Sequence, residues 1–180
     1  MTHPAPVSLL LERIARILQN DAHQHGLKPA QWEALRFLAR ANRFSRNPSA
    51  LTAYLGVTKG TVSQTILTLE KKGLVEKMSS PEDRRAVWLS LTDDGKALVE
   101  ADPLLAIDAH AGEMEADLRD RLEKLLQEML RSRGGRPFGL CKDCVHFQRN
   151  TEGGTPYFCG LLAEPLNDED SVSICFEQTA

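Results

Sequence analysis

All four cysteines of the chain fall between positions 141 and 175. Cys141 and Cys144 form a C-x2-C pair, and Cys159 and Cys175 follow singly. Four thiolates are the number that closes a tetrahedral zinc site or holds a [4Fe–4S] cluster. A segment this small rarely buries enough apolar surface to fold unaided. The spacing therefore predicts that residues 136–180 form a small cysteine-rich module bound to a metal, with the four cysteines as its ligands.

The kind of metal centre is left open between two candidates. Zinc sites usually combine two C-x2-C turns, whereas fifteen residues separate Cys159 from Cys175. This separation favours a [4Fe–4S] cluster, with Zn²⁺ as the alternative. We expect the amide of Gly160 to donate to a sulfur, and His146 is an alternative ligand. A disulfide used as a thiol switch is a further possibility. Apolar side chains that would keep a cluster dry are Phe138, Val145, Phe147, Tyr157, Phe158, Leu161, Leu162, Ile174 and Phe176.

The composition places the chain among soluble globular proteins. Hydrophobic residues make up 42% and charged residues 26% of the sequence. The apolar run Val7–Leu11 is too short for a signal peptide, and no stretch approaches the length of a membrane span. We therefore expect a cytoplasmic protein without a membrane partner. Thiols stay reduced in that compartment, which favours a metal over disulfides.

Charge is distributed unevenly along the chain. The net charge is −3, but residues 141–180 contain two basic and seven acidic residues, a net charge of −5. Residues 43–85 contain eight basic and four acidic residues. This local excess of positive charge suits attraction to phosphates, which the overall charge would not suggest.

The pattern of apolar residues and capping residues predicts a mainly α fold. The predicted helices cover residues 7–20, start at Pro29, run from Pro48 to a stop at Gly56, and run from a Thr58 cap to a stop at Gly73. Strands at 74–78 and 86–91 form a β-hairpin, Thr92 caps another helix, and residues 114–131 form a long amphipathic helix. Helix, turn, helix and hairpin in this order predict a winged helix-turn-helix within residues 1–135.

The exposed start of the fourth helix has the side chains of a DNA reader. Small polar and basic residues at this position can reach base edges and phosphates in a major groove; they are Thr58, Lys59, Thr61, Ser63 and Gln64. The hairpin turn carries Arg84 and Arg85, which can reach phosphates or a minor groove. Any one of these features is common on solvated surfaces, and their order along the chain is what favours double-stranded DNA as the partner.

Three segments resemble the MarR family of bacterial regulators: KPAQWEALRFL (28–38), LGVTKGTVSQTILTLEKKGLVEK (55–77) and DRRAVWLSLTDDGKAL (83–98). The resemblance implies a homodimer whose helical dimerisation region is built from the N- and C-terminal helices, and it implies that the dimer binds a pseudo-palindromic operator. It also implies that Asp83 orients the wing arginines Arg84 and Arg85. Lys28 departs from the family's usual Thr or Ser cap. The cysteine module is the larger departure, because most members end soon after the last dimer helix.

The function predicted from the sequence is that of a DNA-binding transcriptional regulator that is not an enzyme. We expect it to sense iron–sulfur status or redox state through the four cysteines, with the signal passing along the last dimer helix to the spacing of the recognition helices. One alternative is a MarR-type regulator with a structural zinc module that senses a small-molecule effector. An alternative of another class is an iron–sulfur electron-transfer or redox protein.

Overall fold

A computed structural model describes residues 5–22, 26–79, 87–105, 107, 112, 115–135, 138–150 and 154–179. The helices are α1 (Val7–Ala22), α2 (Pro29–Arg40), α3 (Pro48–Leu55), α4 (Lys59–Lys71), α5 (Asp93–Glu100), α6 (Glu115–Ser132) and the single turn α7 (Asp168–Ser171). The strands are β1 (Val75–Ser79), β2 (Val87–Leu91), β3 (Gly139–Leu140), β4 (Phe147–Arg149), β5 (Tyr157–Cys159), β6 (Glu164–Leu166) and β7 (Ile174–Cys175). Within these ranges no helix is both long and apolar enough to cross a lipid bilayer.

The helix-turn-helix of α3 and α4 forms where its local signals predict it. The Asn47 side chain accepts the Ala50 amide at 2.9 Å and caps α3. Gly56 ends that helix in the left-handed region, at φ 64°. The Thr58 hydroxyl then accepts the Thr61 amide at 3.2 Å and starts α4. The predicted caps and the stop at Gly56 are therefore confirmed.

The start of α2 shows how the chain manages without a Thr or Ser cap. Lys28 stands at the cap position, and its backbone amide donates to the Gln31 side chain at 2.9 Å. Gln31 is itself buried against the first turn. The Gln31 side chain thus accepts the hydrogen bond of the Lys28 amide, as the third helical residue does in a capping box.

The wing strands are tied to the helices by single backbone contacts. β1 and β2 pair antiparallel, with Val75 opposite Leu91. The Leu89 amide of β2 donates to the Arg46 carbonyl at 2.8 Å, just before α3. At the end of β2, the Thr92 hydroxyl donates to the Gly73 carbonyl at 2.6 Å and accepts the Gly95 amide at 3.1 Å. The wing, the end of α4 and the start of α5 therefore hold one another in place.

One hydrophobic core joins α2, α3, α4, α5 and the wing. Its largest fully buried side chains are Trp32, Leu35, Phe37, Leu38, Leu51, Ile66, Leu69 and Leu89. An ion pair closes the side of this core: Arg36 donates two hydrogen bonds to Asp102, whose side chain is almost fully buried. Burial of this much apolar surface is the main source of stability for a domain of this kind.

Two helices present apolar stripes to solvent. On α1 the exposed residues are Val7, Leu9, Leu10, Ile14 and Ile17, and on α6 they are Leu118, Leu122, Leu125, Leu126 and Met129. An apolar stripe on a surface helix normally packs against a core or a partner. These are the same helices for which the family resemblance implies a dimer interface.

The cysteine-rich segment consists of small hairpins. β3 pairs antiparallel with β7, and β4, β5 and β6 form a three-stranded antiparallel sheet. A capped turn, α7, connects β6 to β7; the Asn167 side chain accepts the Asp170 amide at 2.7 Å. Below we call residues 138–179 the tail.

The tail packs against the segment between α2 and α3, residues 41–46, which we call the corner. Ala41 forms a parallel bridge with Ile174, and the Asn42 amide donates to the Ile174 carbonyl at 2.9 Å. The Ser45 hydroxyl accepts the Phe176 amide at 2.8 Å. Phe138, like Ile174 and Phe176, packs against the core of the winged helix. Part of the tail therefore packs against the core of the winged helix.

Candidate metal centre and nucleic-acid interface

Three local structures bring the four cysteines together. Cys141 opens a single 3₁₀ turn after β3, and the turn closes where the Cys144 amide donates to the Cys141 carbonyl at 3.1 Å. Cys159 ends β5 and lies opposite Phe147 of β4, which begins three residues after Cys144. Cys175 ends β7, whose partner β3 leads directly into Cys141. The two small sheets thus converge on the sulfurs.

The sulfurs form a buried cluster of free thiols. Cys141, Cys159 and Cys175 are buried, Cys144 is half-buried, and none of the four is in a disulfide. Burial raises the pKa of the Cys141 thiol to about 12, and repulsion from the other three cysteines and from Asp170 adds to the effect. All four sulfurs are therefore close enough to interact electrostatically.

Two sulfurs already receive backbone hydrogen bonds. The Thr179 amide donates to Cys144 Sγ at 3.5 Å. Burial raises the pKa of Cys175, while the nearby Asn42 side-chain amide and a hydrogen bond from the Glu177 amide act in the opposite direction. Such donors stabilise the thiolate, which is the form that ligates a metal. As the side chains stand, no three His, Cys, Asp or Glu residues in the described ranges are grouped as a closed metal site.

The apolar surroundings of the thiols differ in part from the prediction. Phe147, Tyr157 and Leu162 pack against the cluster as expected, together with Leu166 and with Phe44 from the corner. Three of the other residues named as wrapping a cluster pack elsewhere, because Phe138, Ile174 and Phe176 contact the winged-helix core. Val145 and Leu161 are exposed.

Gly160 does not make the contact that the sequence predicted. Its amide donates to the His146 carbonyl at 2.9 Å instead of to a sulfur. A Cβ at this position would lie 2.7 Å from Gln148 Nε2, which is the end of a flexible, exposed side chain that can move aside. The prediction failed because a Cys-Gly pair specifies a free amide but not the direction in which it points.

Charged contacts from the corner hold the tail in place. The Arg43 guanidinium donates to Asp170 and to the Pro165 carbonyl, both at 2.5 Å, and lies over the Phe44 ring at 4.5 Å. Asp170 is 5% exposed, so this is a partly desolvated ion pair. No local sequence pattern marks Asn42, Arg43, Phe44 or Ser45 for these roles. The only related signal was the acidic excess of the tail.

The residues predicted to read DNA lie on one open surface. Thr58, Lys59, Thr61, Ser63 and Gln64 are all exposed at the start of α4. The Thr58 and Thr61 hydroxyls lie 2.9 Å apart, while Val62 and Ile66 of the same helix are buried. Asp83, Arg84 and Arg85 lie outside the described residues. The assignment of this surface to DNA remains a prediction.

Residues 25–86 match the MarR family. The match supports a MarR-family winged helix-turn-helix domain in this part of the chain, and it ends before the cysteines. The uncharacterized HTH-type transcriptional regulator YwaE of Bacillus subtilis is 38% identical over 78 residues, 42% of this chain and 44% of that protein. The organic hydroperoxide resistance transcriptional regulator of the same organism is 31% identical over 80 residues, 42% of this chain and 54% of that protein. The chain thus spans about half the length of these relatives.

Solved structures support the same fold. The S. aureus MepR–DNA complex superposes with a TM-score of 0.55 at 21% identity, covering 72% of this chain and 99% of that one. A MarR transcriptional regulator from Methanosarcina mazei superposes with a TM-score of 0.56 at 23% identity, covering 69% of this chain and 94% of that one. The mainly helical, MarR-like winged-helix fold predicted from the sequence is therefore confirmed.

Proposed function

We propose that this chain is a DNA-binding transcriptional regulator of the MarR type that acts as a cytoplasmic homodimer on a pseudo-palindromic operator. The family match of residues 25–86 and the polar, exposed start of α4 support DNA binding. The exposed apolar stripes of α1 and α6 support a dimer, because their burial in water is favourable. The proposal includes no catalytic activity.

We further propose that Cys141, Cys144, Cys159 and Cys175 ligate a metal, either a [4Fe–4S] cluster or Zn²⁺. The donor set fits both, because thiolates suit both centres. The convergence of all four buried or half-buried thiols on one cluster is the support. When bound, the metal would cross-link the two sheets of the tail and neutralise part of the thiolate charge.

The regulation we propose uses the corner. This segment contacts the tail through Asn42 and Ser45, and it contacts wing strand β2 through Arg46. A change in the arrangement of the four sulfurs would therefore shift the corner residues, which position both the wing and α3. This route differs from the one expected from the sequence, which ran along the last dimer helix. A coupling of roughly 1–3 kcal/mol would change operator affinity about 5- to 150-fold.

The observation that carries the proposal is the docking of the thiol cluster against the corner of a MarR-type winged helix. The experiment that tests it starts from protein purified without oxygen, with metal analysis and an absorption spectrum. About four irons per chain in a brown sample would identify the cluster, and about one zinc in a colourless sample would identify the alternative. Fewer than about half a metal per chain would contradict the metal centre.

DNA binding is tested separately on the same protein. Operator sequences are selected from a random duplex library, and affinity is measured by fluorescence anisotropy before and after metal removal. Absence of any selected sequence would contradict the regulator and favour the electron-transfer alternative. An unchanged affinity after metal removal would make the centre structural and direct attention to a small-molecule effector.

Basic wing residues give a sharper test of the DNA interface. Arg84→Ala with Arg85→Ala should weaken binding to all sequences and reduce the steepness of its salt dependence, because two phosphate contacts are lost. Arg119→Ala with Arg121→Ala on α6 is the matched control, since it removes the same two positive charges from an exposed helix. Equal effects of the two changes would mean that only net charge matters.

A further inference from the structure

Asn42 is a buried polar residue whose side chain has one hydrogen-bond donor unpaired within the described ranges. It lies at the corner and is 2% exposed. Its backbone amide donates to the Ile174 carbonyl, and its Oδ1 atom accepts the Ser45 amide at 3.0 Å. Its Nδ2 group has no hydrogen-bond partner among the described residues. An unpaired buried donor is costly, so a well-packed corner is expected to supply a partner.

The cysteine beside this side chain in the fold is Cys175. Asn42 is bonded to Ile174, the residue before Cys175, and Ile174 in turn bridges Ala41. The side-chain amide lies near Cys175 and does not complete a hydrogen bond to the thiol. A neutral thiol is a weak acceptor. A metal-bound thiolate carries negative charge and is a much better one.

We infer that Asn42 is a positioning residue of the four-cysteine centre, and that its Nδ2 group donates to Cys175 Sγ when this sulfur is a metal-bound thiolate. The inference rests on the proposed metal centre. It explains why an asparagine amide is buried without a described partner at this point of the corner. Ligating residues are commonly oriented by such outer hydrogen bonds, and their loss weakens metal binding.

The same side chain connects the centre to the winged helix. Its Oδ1 atom holds the Ser45 amide, and Ser45 holds the Phe176 amide with its hydroxyl. The next residue, Arg46, accepts the Leu89 amide of the wing strand. If Asn42 Nδ2 turns toward Cys175, the Oδ1 atom of the same side chain moves too, and with it the hydrogen bond to the Ser45 amide. Asn42 therefore links the position of the Cys175 ligand to the conformation of the corner.

The test compares two chemically identical substitutions. Asn42→Asp keeps the shape and the Oδ1 acceptor but removes the donor. Asn47→Asp is the matched control, because Asn47 also accepts a backbone amide through Oδ1 and donates through Nδ2, to the Phe44 carbonyl. The reduced full-length chain is titrated with Co²⁺ in competition with a chelator, and the thiolate-to-cobalt absorption is recorded.

We expect Asn42→Asp to weaken Co²⁺ binding about 10- to 100-fold and to shift the thiolate-to-cobalt absorption. Asn47→Asp should match the wild type in both. Wild-type affinity and an unchanged spectrum in Asn42→Asp would overturn the inference while leaving the metal centre in place. A wild-type chain without thiolate-to-cobalt absorption would instead overturn the centre, and the inference with it.

A second measurement needs no variant and so does not depend on whether Asn42→Asp folds. The wild-type chain is loaded with a spin-active cadmium isotope and examined by NMR. A hydrogen bond to a ligating sulfur transmits a scalar coupling between the Asn42 side-chain amide proton and the metal. Detection of this coupling is the expected result, and its absence in a chain whose cysteines all bind cadmium would overturn the inference.

Discussion

At Gly95 the backbone of α5 lies very close to the backbone of Leu74, which follows α4. This glycine lies in the first turn of α5, and a Cβ at this position would lie 2.1 Å from the Leu74 carbonyl oxygen. That oxygen also accepts the Thr92 amide, so it has little freedom to move. Gly60, in the first turn of α4, has much more room, because the nearest atom to its Cβ would be the Thr58 hydroxyl at 3.8 Å.

We expect Gly95→Ala to lower the free energy of unfolding by about 1–3 kcal/mol, since the methyl group forces the end of α4 away from α5. Gly60→Ala should instead be neutral or raise it by up to about 1 kcal/mol, because alanine favours the helix. Urea denaturation followed by circular dichroism measures both. Equal effects would mean that helix propensity outweighs the close approach.

Asp102 makes the stability of the fold depend on pH. Burial alone would raise the pKa of its carboxyl, but hydrogen bonds from Arg36 and from the Leu104 amide, with the charges of Arg36 and Arg40, lower it overall. A carboxyl whose pKa is lower in the folded chain stabilises the fold above its unfolded pKa. The stabilisation is lost as the pH falls through the folded value.

Asp102→Asn should therefore lower the free energy of unfolding by about 3 kcal/mol at neutral pH, because it leaves Arg36 with a neutral partner in a half-closed site. The difference from the wild type should shrink as the pH drops below the ordinary aspartate pKa of 3.8. Asp117→Asn, which removes an exposed pair with Arg121, should change stability by less than about 0.5 kcal/mol. A gap between Asp102→Asn and the wild type that is independent of pH would contradict the assignment.

At the scale of elements, the contact between tail and corner depends on one arginine. Arg43 reaches across to Asp170 and to the Pro165 carbonyl, so it joins α7 and β6 to the segment between α2 and α3. Its own side chain is 45% exposed, which limits what the ion pair contributes. The buried carboxylate of Asp170 would nevertheless lose its charged partner if the arginine were removed.

We expect Arg43→Met to destabilise the docked tail by about 1–2 kcal/mol while the winged helix stays folded. The methionine keeps an apolar side chain over Phe44 and removes only the polar contacts. Arg43→Met should increase the hydrogen exchange rate in residues 164–176 more than in α2. Arg149→Met on β4, where the side chain is exposed, is the control, and a uniform increase in exchange would argue against a local role.

Comparison of elements shows which parts of this fold can be predicted from sequence. The caps at Asn47 and Thr58 and the stop at Gly56 act within a few residues, so the pattern predicts α3 and α4 well. The docking of Ile174 on Ala41 and Asn42 involves residues far apart in sequence, and no local pattern marks either partner. For the same reason the four cysteines could be named as a set, whereas Asn42 beside them could not.

At the scale of the whole molecule, the proposed dimer depends on the two apolar stripes. Leu118, Leu122 and Leu125 line one face of α6, and all three are exposed in the single chain. Lys124 lies on the opposite face of the same helix. A regulator that reads a pseudo-palindrome needs two recognition helices held at a fixed separation.

Leu122→Glu should weaken the proposed dimer at least roughly 100-fold, about 3 kcal/mol, because a charge would be buried at its centre. Light scattering across a dilution series measures this, and operator affinity should fall with it. Lys124→Glu changes the helix charge by more but lies on the other face, so it should leave the mass unchanged. A monomeric wild type would contradict the dimer itself.

The hydrogen bond between Phe176 and Ser45 joins residues 131 positions apart. During synthesis on the ribosome, α2, α3, α4 and the wing emerge well before the strand that covers the corner. Until then the apolar surface around Ala41 remains open to chaperones and to other chains. Closing so long a loop also carries an entropic cost that slows folding. We therefore expect newly made protein to acquire its DNA-binding shape late, and mutations in the tail to lower the yield of folded chain even where they leave the finished protein stable.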